Sequence, residues 1–392
     1  MLNRDSRIDA LRGIAVIGVV LLHTQNAWFY GSGGDLPIGD RMHMRDHWLG
    51  IASIPVTFGF LGLNLFFLLS GLCIHLWWLK KSQDGGTKPL DFEGYFRRRL
   101  TRLYPAYFGA VLFSLLLLGA IEWLRINVLD RDAPSAQATN VVEQTLRYLT
   151  FTHTLKAETF AGYNAPLYTM AIEFQFYLLY PLVLTGFRKL GSIGTLLAAT
   201  AISVAASFWV VSTDDPRLIR VVLDSAVARW PEWILGCLMG EWLVRWRASG
   251  IAAPIAAQRF VWLGVCAFVA ALLLQVKSGI APNLLWTASI APVVVLFLQR
   301  TGVPTHVSFA WLCWMGTISY SVYLIHAPIL RLFAVFLTPQ PGSLGINLLI
   351  YLAAFPLILA LGYLLFKALE EPFLSASGVQ VRSPDSSIQS LK

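Results

Sequence analysis

The sequence predicts an all-α, polytopic integral membrane helical bundle of about ten transmembrane helices with both termini cytoplasmic. Three observations carry that prediction. Hydrophobic residues make up 56% of the 392-residue chain and charged residues only 13%, against about 25% charged in soluble domains. The apolar residues fall in windows of about 20, the length that crosses a bilayer. Lys and Arg gather on alternate loops, chiefly in "KKSQDGGTKPLDFEGYFRRRLTR", as the positive-inside rule expects of cytoplasmic segments. The net charge of +8 is therefore a record of topology, and no nucleic-acid partner is implied.

The windows lie near residues 8–29, 54–79, 103–124, 166–187, 192–212, 223–246, 260–276, 281–299, 309–337 and 344–368. The first exceeds a signal-peptide core in length and is expected to remain as a span. The sixth is interrupted by Arg229, Glu232 and Glu241. The ninth is long enough to be tilted or broken, with Pro328 as the expected break. The tenth leads to Glu370 and Glu371 beside Pro372, read as its exit into water. Residues 1–372 form one transmembrane domain, and the polar, Ser-rich residues 373–392 are expected to be a disordered cytoplasmic tail.

The long outer loops are 30–53 and 125–165, and residues 141–152 have the pattern of a short interfacial helix. His43 and His47 in "RMHMRDH" are four apart, but without a clear third ligand they read as a surface patch. Cys73, Cys237, Cys266 and Cys313 lie in apolar runs without a CxxC pair, so they read as packing residues and no metal is expected.

An ionisable group inside a span costs about 2.5–3.5 kcal/mol and asks for a function. The opening run "LRGIAVIGVVLLH" holds Arg12 and His23 on nearly one helix face, about 16 Å apart along the axis. Two readings stand: a cavity with a cation at its mouth and a base at its depth, or an interfacial Arg above a core His. "GFLGLNLFFLLSGLCIHLWW" holds Asn64, Ser70 and His75 among glycines, which suits either a polar site or close helix packing. Ser70 would be a nucleophile only with a base in hydrogen-bond reach. "YFRRRLTRLYPAYF" puts Arg98, Arg99 and Arg102 where guanidinium groups hold phosphates or anchor on headgroups. "YNAPLYTMAIEFQFYLLYPLVL" buries Glu173, which orients a histidine, acts in acid–base chemistry or pairs with an arginine. His326 in "YSVYLIHAPIL" is a further intramembrane polar group.

In their order along the chain these stretches resemble one family, the acyltransferase-3 family of polytopic membrane acyltransferases. "LRGIAVIGVVLLH" is similar to its Arg–ten residues–His signature, met by Arg12 and His23. "FFLLSG" (Phe66 to Gly71) is similar to its FFxxSG pattern, and "RRRLTRLYPAY" to its basic run closing on Pro and an aromatic. "PLYTMAIEFQFYLLYP" and "ISYSVYLIHAPI" resemble its later segments. Tyr168, Phe174, Ile325 and Ala327 depart from residues common there, which leaves the acceptor open.

The resemblance implies transfer of an acyl group, with acetyl-CoA the expected donor, from cytoplasmic acyl-CoA to a hydroxyl of a glycan or glycolipid such as a lipid-linked sugar. It implies no bound cofactor, a bacterial cytoplasmic (inner) membrane setting, and polysaccharide-assembly proteins as partners. By the same resemblance, His23 is the catalytic base and Glu173 orients it. Arg12, Arg98, Arg99 and Arg102 hold the donor phosphates, and Ser70, Tyr168 and His326 line the substrate. The competing readings are a His23 that is itself acylated, a flippase of lipid-linked sugars, and a non-catalytic scaffold of polysaccharide assembly.

Overall fold

The computed structural model describes residues 5–30, 54–85, 90–128, 140–249, 256–278, 282–300, 304, 306–336 and 344–376. Among these residues there are helices and turns and no strand. In chain order the helices are α1 (Ser6–Tyr30), α2 (Leu61–Gly85), α3 (Phe92–Asn127), α4 (Val141–Leu149), α5 (Tyr168–Val211) and α6 (Pro216–Leu223). They continue with α7 (Ala226–Ser249), α8 (Ala256–Ser278), α9 (Asn283–Gln299), α10 (Val307–Phe336), α11 (Leu344–Leu365) and α12 (Glu371–Ala376). Single turns fill the chain just before α2 and between α4 and α5, and a π turn, Phe366–Glu370, joins α11 to α12.

Among the described residues each of the ten apolar windows lies mainly on helix. Among the described residues, seven helical stretches are long and apolar enough to cross a membrane: Ser6–Asn26, Ile54–Ser82, Phe92–Asn127, Ala165–Val211, Arg259–Ser278, Val307–Ala334 and Leu352–Leu374. Two windows have merged into the 47-residue stretch, which turns at Gly191, where φ is 72°. That left-handed conformation suits a residue with no Cβ. Of the remaining two, α7 carries the charges noted above and α9 has 17 residues.

Two expectations are corrected. Helix α10 is not broken at Pro328 but runs unbroken through it. The carbonyl of Leu324, which the missing proline N–H would have served, accepts instead from Asn164 Nδ2 at 2.9 Å. Glu370 does not face water: it is buried, and its Oε2 accepts from Ser321 Oγ at 2.6 Å. It closes the π turn, whose wider winding re-aims side chains relative to an α-helix. Glu371 pairs with Lys367 at 2.8 Å. The polar segment expected from 373 is helical to Ala376, and 377–392 lies outside the described residues.

The chain divides into two compact units. The first comprises Met1–Ala15, Phe60–Phe96 and Ile172–Cys313; the second comprises Val16–Gly59, Arg97–Ala171 and Trp314–Lys392. The first unit is cored by Leu11, Leu68, Leu72, Met239, Val294 and Leu298 from α1, α2, α7 and α9. Within it α2 and α7 meet backbone to backbone. A Cβ on Gly71 would lie 2.0 Å from the Trp233 carbonyl oxygen, and one on Gly236 2.1 Å from that of Leu68. Small residues let membrane helices approach in this way, and the crossing seats Trp233 beside Ser70.

Candidate active site

In the first unit, Ser70 and Cys73 stand one turn apart on α2, and Glu173 and Tyr177 one turn apart on α5. Ser70 Oγ donates to Glu173 Oε1 at 2.8 Å, and Tyr177 OH donates to the same oxygen at 2.5 Å. Trp233 Nε1 donates to Ser70 Oγ at 3.3 Å. Arg12 Nη2 lies 3.7 Å from Cys73 Sγ, with Asp9, Glu173 and Tyr177 in electrostatic reach. A carboxylate held by two hydroxyls near a guanidinium satisfies the demand that a charged group inside a span find partners. Ser70, Cys73, Arg12 and Glu173 are all only partly buried.

A second network in this unit was not foreseen. Glu232 is fully buried and takes both Nε and Nη2 of Arg229, the latter at 3.0 Å. Asn64 Nδ2 donates to its Oε2 at 3.0 Å and Thr287 Oγ1 to the same oxygen at 2.9 Å. The signal was present in the charges of the sixth window and in Asn64, but Thr287 is unremarkable in sequence. His75 Nδ1 is 3.0 Å from Tyr180 OH, and its Nε2 is 3.6 Å from Glu241.

The second unit holds both intramembrane histidines proposed for the reaction. Helix α1 is seated by Gly18, whose carbonyl oxygen would lie 2.1 Å from a Cβ on Gly59. His23 follows five residues later, partly exposed, with Nδ1 2.9 Å from the Val19 carbonyl oxygen. His326 on α10 is fully buried, with Nδ1 2.6 Å from the Tyr323 carbonyl oxygen. Its Nε2 faces His23 Nδ1 at 3.3 Å, the ring centroids being 5.0 Å apart.

A carbonyl only accepts, so each Nδ1 carries the proton and each Nε2 the lone pair. Tyr323 is itself fixed: its hydroxyl donates to the Pro166 carbonyl at 3.2 Å and accepts from Thr169 Oγ1 at 2.9 Å. Asn164 adds bonds to Ser114 Oγ and Leu324 O, both 2.9 Å. The segment "YNAPLYT" thus ties down the part of α10 that carries His326.

Arg98, Arg99 and Arg102 lie on α3 in the same unit, partly buried, while Arg97 is exposed. At 100° per residue these three span about a quarter-turn of the helix, with Arg97 outside it. Tyr168 packs on Phe160 with ring centroids 5.2 Å apart. Beyond the spans, burial lowers the His153 pKa to about 4, and the hydrogen bonds from Lys156 and Arg147 lower that of Glu143. His43 and His47 lie outside the described residues. Among the described residues no group of three His, Cys, Asp or Glu side chains is placed to hold a metal ion.

Comparison with known proteins gives these two clusters a context. The acyltransferase-domain model of acyltransferase-3 matches residues 5–367, nearly the whole chain. The chain belongs to the acyltransferase-3 family. As an acyltransferase-3 member with seven apolar helices of spanning length, it is a multi-pass membrane protein. It is 26% identical over 344 residues to the O-acetyltransferase OatA of Staphylococcus aureus, covering 82% of this chain and 50% of OatA. It is 24% identical to YrhL of Bacillus subtilis, whose name assigns it provisionally to peptidoglycan O-acetylation, over 83% of this chain and 48% of YrhL. It is 25% identical to the acyltransferase MdmB of Streptomyces mycarofaciens, over 75% of this chain and 74% of MdmB. The chain spans about half the length of the first two relatives. No solved structure matches it.

Proposed function

We propose that this chain is a membrane O-acyltransferase that moves an acyl group, acetyl in the first instance, from cytoplasmic acyl-CoA to a hydroxyl of a glycan or glycolipid. The observation that carries the reading is the contact of His23 Nδ1 with the Val19 carbonyl oxygen at 2.9 Å. The Nδ1–H is spent on that carbonyl, which makes Nε2 the basic atom of a partly exposed imidazole on the helix bearing the family's Arg–His signature. Neutral imidazole is the side chain best matched to taking a proton near neutral pH.

In this reading His23 Nε2 takes the proton of the acceptor hydroxyl as its oxygen attacks the thioester carbon. The C–S bond breaks, the ester forms, and the same proton passes from Nε2 to the departing sulfur to give CoA–SH. Arg98, Arg99 and Arg102 hold the donor's phosphates with planar forks that lysine lacks. In the first unit Glu173 keeps the hydroxyls of Ser70 and Tyr177 ordered. The names of OatA and YrhL support acetyl as the group, and that of YrhL supports a glycan as the acceptor class. The setting is the bacterial cytoplasmic membrane.

Mass spectrometry of the host's surface glycans with and without the protein tests this. Loss of one acyl mass from an otherwise intact glycan is the expected result. Loss of the whole glycan from the surface, with no change in acylation, would indicate a flippase.

A further inference from the structure

The assignment of His23 as base leaves open what holds its ring. The geometry points to His326: we propose that it is a positioning residue for the reaction, accepting the His23 Nδ1–H at its own Nε2. The proposal rests on the reading of His23 as the base.

Four observations within the second unit carry it. His326 Nδ1–H donates to the Tyr323 carbonyl at 2.6 Å, so its Nε2 bears a lone pair and acts as an acceptor. That lone pair faces His23 Nδ1 at 3.3 Å. The His23 Nδ1–H is thereby shared between the Val19 carbonyl, at 2.9 Å, and the His326 ring. Finally, His326 has 0% of its surface exposed whereas His23 is partly exposed. An acceptor molecule can therefore touch the second ring, while the first acts only through it.

The chemistry follows the orientation. When His23 takes the hydroxyl proton on Nε2 it becomes an imidazolium, and its Nδ1–H becomes a stronger donor. A neutral imidazole acceptor then strengthens its bond to the ring as charge develops, which is the differential interaction catalysis requires. No proton leaves Nδ1: His326 stays neutral, and the transferred proton passes only between the hydroxyl, His23 Nε2 and the leaving sulfur. A carboxylate in this place would hold the ring as a salt bridge; an imidazole fixes direction without adding a buried negative charge.

Asparagine and glutamine at 326 separate this role from packing. Asn reaches the place of Nδ1 and keeps the bond to Tyr323, while Gln reaches the place of Nε2 and offers an acceptor to His23. The full chain in nanodiscs, supplied with [14C]acetyl-CoA and membrane vesicles carrying the native glycans, is assayed as wild type, His326→Ala, His326→Asn and His326→Gln. The expected result is an Ala variant with kcat down about 10²-fold, as a misplaced catalytic group costs, and KM for acetyl-CoA within about twofold. His326→Gln should be at least about fivefold faster than His326→Asn. An Asn variant as fast as Gln, or an Ala variant at wild-type kcat, overturns the positioning role while leaving His23 as base. A wild type with no transfer overturns the reaction reading and this role with it. Should the variants fail to fold, the wild type decides: nitrogen NMR of histidine-labelled protein should show His23 Nδ1–H in contact with an unprotonated His326 Nε2. A protonated His326 Nε2 overturns the proposal.

Discussion

His326 Nε2 faces His23 Nδ1 at 3.3 Å, and each ring gives its own Nδ1–H to a carbonyl within the preceding turn of its helix. With Nδ1 against the Val19 carbonyl, the lone pair of His23 falls on Nε2. The contact between the rings also links a residue of the first apolar window to one of the ninth, 303 positions away in sequence.

The bond from Asn164 to the Leu324 carbonyl exists because Pro328 removed the helix's own donor. Asn164→Leu should therefore lower the melting temperature of the detergent-solubilised protein, by the cost of a buried carbonyl left unserved, about 1–3 kcal/mol. Adding Pro328→Ala restores the helical N–H and should recover part of that loss. A double variant no more stable than Asn164→Leu alone contradicts the assignment.

Arg229 and Glu232 form a buried pair whose remaining valences are filled by Asn64 and Thr287. Glu232→Leu leaves the buried guanidinium with the more distant Asp224, 3.8 Å away, and should cost about 3 kcal/mol, seen as a lower melting temperature and reduced yield. Glu232→Gln, which still accepts hydrogen bonds, should be milder. Equal stability of the Leu variant and the wild type would show that the pair is incidental.

These two cases mark what the sequence could and could not reveal. Polar groups inside apolar windows were legible one by one, because a bilayer makes each of them conspicuous. Their pairings were not. Ser70 and Glu173 meet across 103 residues and Asn64 and Glu232 across 168, distances over which no local pattern speaks. Pro328 looked like a break because its remedy, Asn164, sits 164 positions earlier. Glu370 looked solvent-bound because a π turn has no sequence signature strong enough to re-aim it on paper. Eight of the ten windows fall on the seven described stretches of spanning length, because hydropathy alone marks them, whereas α7 needed its buried partners to explain its charges.

If Arg98, Arg99 and Arg102 hold phosphates, replacing all three with Gln should raise KM for acetyl-CoA by about tenfold or more, given the strength of charge-assisted bonds. It should leave KM for S-acetyl-pantetheine, which lacks those phosphates, within about twofold. Equal increases for both donors would mean that the arginines act elsewhere.

His153 is buried neutral outside the spans, with its pKa lowered to about 4. The unfolded chain binds this proton near 6.5, so as the pH falls from about 6.5 toward 4 the unfolded state gains protons that the folded state refuses. Stability should fall across that window at up to about 1.4 kcal/mol per pH unit from this group. Melting curves at pH 7 and pH 5 should show a smaller drop for His153→Phe than for the wild type. An unchanged pH dependence would rule out His153 as its source.

The central claim is that His23 is the base of an acyl transfer from acyl-CoA. Membranes bearing the protein, given [14C]acetyl-CoA, should label a glycan, and His23→Ala should bring that label to background while protein level and melting temperature stay at the wild-type values. Labelling at the wild-type rate in His23→Ala would contradict the account.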